Sequence, residues 1–293
     1  MEARTVEFGE GKLALRVFFS SEEKGFSVAS VIVYGKEEAV LIDTQWSRAN
    51  AYRVCAELCE LGKKLTTIFV THAHPDHYFG TAYIAEQFPG VKCVAPAEAA
   101  RTINTQFFDK IDHWTEVIGW QNVCTKMVEL EPVQDNVIMI EGERIEIFPH
   151  CMGDIRYNSL VWIPSIKTAY GSDILFNEAH PFTCEVTKHE RELWMQDIDL
   201  IESLNPDVII PGHQRPGMPF DHSTLKFMRE YLIATEEVLE STKTEGEFFL
   251  EMCRRFPTSN LVMLSNEMNA SVHKSNREWN WRDEEDTERT ERS

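Results

Sequence analysis

Three histidines and one aspartate fall within six residues in the string Thr71-His-Ala-His-Pro-Asp-His77, and nothing else in the chain constrains its fold as tightly. The run before it, Leu65-Thr-Thr-Ile-Phe-Val70, is short, apolar and rich in β-branched and aromatic residues, as a buried strand is. Pro75 interrupts both a strand ladder and a helix interior. His72, His74, Asp76 and His77 are therefore expected on a loop at the carboxyl end of that strand, with a helix starting after Gly80. Imidazole and carboxylate groups suit zinc or another borderline first-row ion, and catalytic sites keep one position open for water. A polar surface loop with coincidental histidines is the alternative; the strand before and the helix after disfavour it.

The rest of the chain supplies a frame for such a loop. Segments 13–19, 26–33 and 38–43 read as strands, the first two joined by a polar turn at 21–25. Segment 47–63 reads as a helix with an apolar stripe at Ala51, Val54, Cys55 and Leu58, closed by Gly62. With a strand at 91–95, the order strand, helix, strand, helix, strand describes parallel units. Alternation then returns at 127–130, 136–140 and 144–148, which are expected to begin a second sheet, followed by strands at 158–163 and 167–171. Thr187 and Glu190 make a capping-box pattern opening a helix to Leu204, and a long helix is expected over 221–241. Segment 246–269 has mixed helical character and is read as a cover for the core or as a contact in a homodimer.

At 293 residues the chain is long enough for a sizeable core, and its 43% hydrophobic content is ordinary for a globular protein. The domain is expected over 1–270, with 271–293 as a charged, solvated tail in which Trp279 and Trp281 stand just before the densest charges. No stretch approaches the roughly 18 apolar residues of a membrane span, and the first residues lack the regions of a signal peptide, so cytosol is the expected compartment. The formal net charge of −19 disfavours nucleic acid and anionic membranes as partners. Seven cysteines, odd in number and without a Cys-x-x-Cys pair, argue against a disulfide framework.

The motif His72-Ala-His74-Pro-Asp76-His77 after a strand resembles the signature of the metallo-β-lactamase superfamily, and the resemblance extends over about 13–239. It implies an α/β fold of four layers, αββα, with two mixed sheets flanked by helices and two metal ions at one edge. Carried over residue by residue, His72 and His74 go to the first ion, Asp76 and His77 to the second. Asp173, in Tyr170-Gly-Ser-Asp173, takes the place of the family's bridging aspartate with one extra residue, Ser172, in the motif. His213, in Pro-Gly-His213 at the end of an apolar strand, matches the last ligand of the second ion, and Asp43 matches an aspartate that supports the metal loop. Gly153-Asp154-Ile155 stands where the family has Gly-His-Thr, so Asp154 replaces a histidine ligand, with His150 four residues earlier as the competing ligand.

The resemblance also makes 97–125 a pocket-shaping insertion, in which Trp114 and Trp120 are read either as core or as the wall of a pocket for a flat, apolar substrate. His180 is read either as a partner of the metal ligands or substrate, or as a satisfied loop histidine. The function the resemblance implies is a binuclear metallohydrolase whose substrate is a small molecule, a lactone or lactam opened with a metal-activated water, Asp76 orienting that water or moving its proton. Zinc is the first expectation, with iron or manganese as alternatives given Asp154. A thioesterase or glyoxalase-II-like hydrolase, an iron redox protein and a non-catalytic scaffold are the competing readings.

Overall fold

The computed structural model describes residues 4–8 and 12–274. Its first sheet has seven strands in sequential order: β1 (Arg4–Phe8), β2 (Ala14–Phe19), β3 (Ala29–Tyr34), β4 (Glu38–Ile42), β5 (Lys64–Phe69), β6 (Lys92–Ala95) and β7 (Glu131–Pro132). β1 to β4 pair antiparallel and β4 to β7 parallel. The parallel part follows from the crossover helices α2 (Arg48–Leu61) and α4 (Thr81–Gln87), which come after the short helical turns α1 (Glu22–Gly25) and α3 (Pro75–Tyr78). A second sheet holds β8 (Val137–Ile140), β9 (Glu143–Cys151), β10 (Asn158–Ile163), β11 (Thr168–Tyr170) and, after the short β12 (Phe176–Asn177), β13 (Val208–Ile210); β12 pairs instead with β14 (His213–Gln214). Helix α5 (Ala97–Ile118) belongs to the first half of the chain, and α6 (Lys188–Ser203), α7 (Ser223–Ser241), α8 (Glu245–Arg255) and α9 (Glu267–Lys274) to the second.

Period-two alternation builds the four layers. Leu15, Val17, Val31, Val33, Val40, Ile42 and Phe69 point from the first sheet into a core shared with Ile145, Ile147, Val161 and Ile163 of the second. Their neighbours Phe18, Ile32, Leu41 and Ile68 point the other way, onto α2, α4 and α5. Leu160 and Trp162 likewise leave the inter-sheet core to meet Trp194, Ile198, Met228 and Leu232 of α6 and α7. The fold is thus the expected αββα sandwich.

Several local expectations meet their physical reason here. Ser47 accepts a hydrogen bond from the Asn50 N–H, and Gly62 takes the left-handed conformation (φ 64°) that ends α2. The capping box of Thr187 and Glu190 is complete. Segment 127–130 forms no strand; the pair after it, Glu131–Pro132, joins the first sheet beside β6 rather than the second. The strand expected from residue 26 begins at Ala29, because Phe26 and Ser27 both have positive φ after α1. The boundary drawn at 271 falls inside α9, which runs to Lys274. The remainder of the charged tail, with Trp279 and Trp281, lies outside the described residues. Among the described residues no helix is long and apolar enough to cross a membrane, and all seven cysteines are free thiols.

Candidate metal centre

The metal loop leaves β5 and turns at once into α3, with Pro75 at its first position. Proline is well suited there, since the first N–H of a helix has no intrahelical partner. The residues expected on a loop are therefore divided: His72 and His74 precede the helical turn, and Asp76 and His77 lie on it. The turn aims both toward Asp154, Asp173 and His213, which follow β9, β11 and β13 of the second sheet. Two clusters of ligand atoms result, His72, His74, Asp154 and Asp173 in one and Asp76, His77 and His213 in the other, each within 4.8 Å.

Asp173 stands between the clusters. Its Oδ1 lies 3.2 Å from His77 Nε2, and its Oδ2 lies 3.2 Å from His213 Nε2 and 3.6 Å from His72 Nε2. Asp76 Oδ2 is 3.4 Å from His213 Nε2 and 3.7 Å from His77 Nε2. Asp154 Oδ2 lies 2.8 Å from His74 Nδ1. His150 does not compete: β9 carries an extra residue against β10 next to it, its backbone adopts φ 66°, and its half-exposed ring turns toward Glu98. Gly212 of the Pro-Gly-His string is required sterically, since a Cβ there would come within 2.0 Å of Asp173 Oδ1.

Hydrogen bonds outside the clusters orient three of the imidazoles alike. Asp43 can only accept, so His77 donates from Nδ1 to its Oδ2 (2.8 Å) and turns Nε2 inward. His213 donates from Nδ1 to the Phe26 carbonyl (2.8 Å) and stacks on Phe176, with centroids 4.9 Å apart. His72 Nδ1 meets the hydroxyls of Thr71 (3.0 Å) and Ser172 (3.3 Å). Thr71 spends its own proton on Asp43, at 2.9 Å from Oδ2, so it can accept from His72. Each Nε2 is thereby left with its lone pair toward Asp173 in the neutral ring, the arrangement that metal-ligating histidines need. Asp43 also accepts from the Thr71 backbone (2.9 Å) and the Tyr170 hydroxyl (2.7 Å), fastening the second sheet to the first beneath the site.

His74 is oriented the other way. Its Nδ1 faces the cluster through Asp154, while its Nε2 faces Glu185 Oε1 at 3.4 Å. Glu185 thus stands to His74 as Asp43 stands to His77. No short motif marks it, because it lies on the irregular loop between β12 and α6.

The electrostatics ask for positive charge. Burial alone would keep His74 and His77 neutral, yet Asp154 with Glu185 holds the first, and Asp173 with Asp43 and Asp76 holds the second, well above the usual histidine range. His213 is raised in the same way, chiefly by Asp173 working against burial. Burial pushes the Asp154 carboxyl up to about 7, although His74 opposes it. His72 Nε2, His77 Nε2 and Asp173 Oδ1 are buried atoms with no hydrogen-bond partner. Such atoms are costly unless something else satisfies them. Convergent imidazole nitrogens and carboxylates with this deficit fit divalent metal ions.

The clusters form the floor of a pocket whose walls are Phe26, Trp46, Trp114, Phe176, Phe182, Leu261 and Leu264, with Lys110 and Glu185 as its charged side chains above the floor. Lys110, buried on the face of α5 that also carries Trp114, donates from Nζ to the Ala73 carbonyl at 2.7 Å and so holds the metal loop from the helix side. The expected insertion 97–125 is in large part this helix. Of the two readings open to these tryptophans, core or pocket wall, Trp114 takes the wall, whereas Trp120 is 66% exposed beyond the end of α5 and takes neither. His180 is also apart from the pocket lining: it is fully buried, its Nδ1 meets the Tyr231 hydroxyl at 2.9 Å, and burial lowers its pKa to about 4. Trp120 and His180 therefore stand apart from the lining of this pocket, which includes Lys110, Phe182 and Glu185 instead.

A family profile described as the metallo-beta-lactamase superfamily matches residues 24–213. Among solved structures, a metallo-beta-lactamase from Pontibacter korlensis is 18% identical with a TM-score of 0.61, over 79% of this chain and 99% of that one. The DIM-1 metallo-beta-lactamase is 20% identical with a TM-score of 0.57, over 80% and 98%. The IND-7 metallo-beta-lactamase is 19% identical with a TM-score of 0.58, over 78% and 98%.

Proposed function

Because this chain belongs to the metallo-beta-lactamase superfamily, we propose that it is a metal-dependent hydrolase that opens a small cyclic ester or amide, a lactone or lactam. The observation that carries this reading is the convergence of unpartnered His72 Nε2, His77 Nε2 and Asp173 Oδ1 on the floor of an apolar pocket. His72, His74 and Asp154 would hold one divalent ion, Asp76, His77 and His213 a second, and Asp173 would serve both; zinc is the first candidate, with iron and manganese accommodated by the oxygen-rich first set. When bound, such ions polarise a carbonyl and acidify water.

The chain's own groups supply the rest. Asp76 faces the pocket with Oδ2 toward His77 and His213, placed to accept a proton from the attacking water and return it to the departing oxygen or nitrogen. The aromatic walls exclude bulk solvent and receive the neutral substrate, and four carboxylates near the floor disfavour a polyanionic one.

Elemental analysis of the purified protein, paired with a panel of lactones, lactams and thioesters before and after chelation, tests the reading. About two equivalents of metal and turnover of a lactone or lactam that chelation abolishes are expected. A metal-loaded protein inert to both classes would overturn it.

Glu185 provides a sharper check on the first half of the site. If its carboxylate keeps the His74 proton on Nε2, Glu185→Gln weakens metal affinity by about ten- to a hundredfold, the usual effect of losing such a partner. Competition against a chromophoric chelator measures this, with circular dichroism showing the fold unchanged.

A further inference from the structure

One wall of the pocket comes from outside the family-matched segment. Leu261, Leu264 and Ser265 belong to a turn between α8 and α9, where Leu261 has φ 61° and Val262–Asn266 form a π-helical turn. The same region holds the loop that carries Phe182 and Glu185. Asn269 accepts from the Thr183 N–H and donates to the Pro181 carbonyl, both at 2.8 Å. His273 Nε2 meets the Thr183 hydroxyl at 3.1 Å, and the Asn260 carbonyl accepts from the His180 N–H at 3.0 Å. Segment 260–273 therefore places both its own leucines and the facing loop.

The remaining walls are aromatic, and Phe26, Trp46 and Trp114 among them brace one another. Phe26 and Trp46 lie with centroids 3.9 Å apart, and Trp114 meets Trp46 edge-on at 5.2 Å. Aromatic surfaces joined by aliphatic ones make a slot for a planar group, since rings gain from both area and ring contact.

We propose that segment 260–273 is the substrate-selecting wall of this site, and that the group it selects is a flat aromatic ring joined to the scissile bond. The proposal rests on the hydrolase reading for the bond that is cleaved, but not for the binding of the ring. No metal ligand lies in the segment, and Leu264 makes none of the bonds that hold the Glu185 loop, so substitution of Leu264 is expected to leave metal content intact.

The test compares δ-valerolactone with dihydrocoumarin, its benzo-fused counterpart, and measures binding of 2-naphthol by equilibrium dialysis, all on the full-length metal-loaded chain. The wild type is expected to favour dihydrocoumarin in kcat/KM by about tenfold or more and to bind 2-naphthol; Leu264→Trp, which fills the slot, should cut that preference and the 2-naphthol affinity about tenfold each, within the range a misfitted apolar pocket supports. If the variant fails to fold, Trp114→Ala removes a ring from the slot and carries the same expectation. An unchanged preference or unchanged 2-naphthol binding overturns the proposal. Should the wild type open neither lactone, the lactam panel decides the hydrolase reading, and 2-naphthol binding alone decides the slot: loss in the variant supports it, and no binding to the wild type rejects it.

Discussion

Asp173→Asn is expected to lower turnover about a thousandfold, roughly 4 kcal/mol in activation free energy, and to leave the folded protein with less than half its metal. The reason is its place between the two clusters, 3.2 Å from His77 and His213 and 3.6 Å from His72. Burial raises a carboxyl pKa, yet His213 and His77 hold that of Asp173 well below the usual range, so the wild-type group is ionised throughout the physiological span. Asparagine keeps the shape and removes the negative charge. It also turns an N–H₂ toward nitrogens that must accept a cation, which no rearrangement of a nearly fully buried side chain relieves. Elemental analysis and single-turnover assays on the variant check both parts; full metal content with normal turnover would show that Asp173 is only a buried turn residue.

Asp43→Ala should destabilise the protein by about 3–5 kcal/mol, the usual result of removing one partner of a buried charged pair. The carboxylate is fully buried and accepts from His77, Tyr170, the Thr71 hydroxyl and the Thr71 N–H. Alanine would leave those donors without an acceptor in a space too closed for bulk water. Asp43 also sits at φ 60°, a conformation aspartate tolerates better than alanine, which adds to the loss. Denaturant unfolding of the metal-free protein separates this effect from metal affinity. Asp43→Asn, which keeps acceptor capacity but not charge, should lose less. A midpoint unchanged in Asp43→Ala would mean that the site is held by the sheets alone.

The legible and illegible parts of this molecule divide by the range of the interactions that make them. The inward and outward alternation of β2 to β5 follows from adjacent residues, and so does the placing of His72 and His77 after a strand. Asp154 is suggested only by the resemblance, which sets Gly153-Asp154-Ile155 against the family's Gly-His-Thr ahead of β10. His150 could not be dismissed without the bulge that turns it away, since a bulge arises from pairing between two strands and not from either one. Pro75 looked like a breaker of regular structure because its local effect depends on position, and at the first residue of a helical turn it is favoured. Trp114 and Trp120 were indistinguishable in the string but differ in the fold, because α5 ends between them and leaves Trp120 beyond its buried face. Glu185 and Lys110 owe their places wholly to long-range packing, one on a loop braced by Asn269 and His273, the other on a helix that reaches across to Ala73.

The fastening of the two sheets beneath the site has a mechanical corollary. Tyr170 and Ser159 of the second sheet bond to Asp43 and to the Thr71 carbonyl of the first, and the ligand atoms are drawn from both sides of the same seam. Whatever occupies the site ties positions as distant along the chain as His72 and His213, closing a long loop in the manner of a reversible cross-link. Ligation and apposition of the sheets then form one equilibrium, so the chain's resistance to unfolding rises with the free concentration of its ion. In a cell, supply of that ion would govern how long each copy of the protein survives as well as how fast it works.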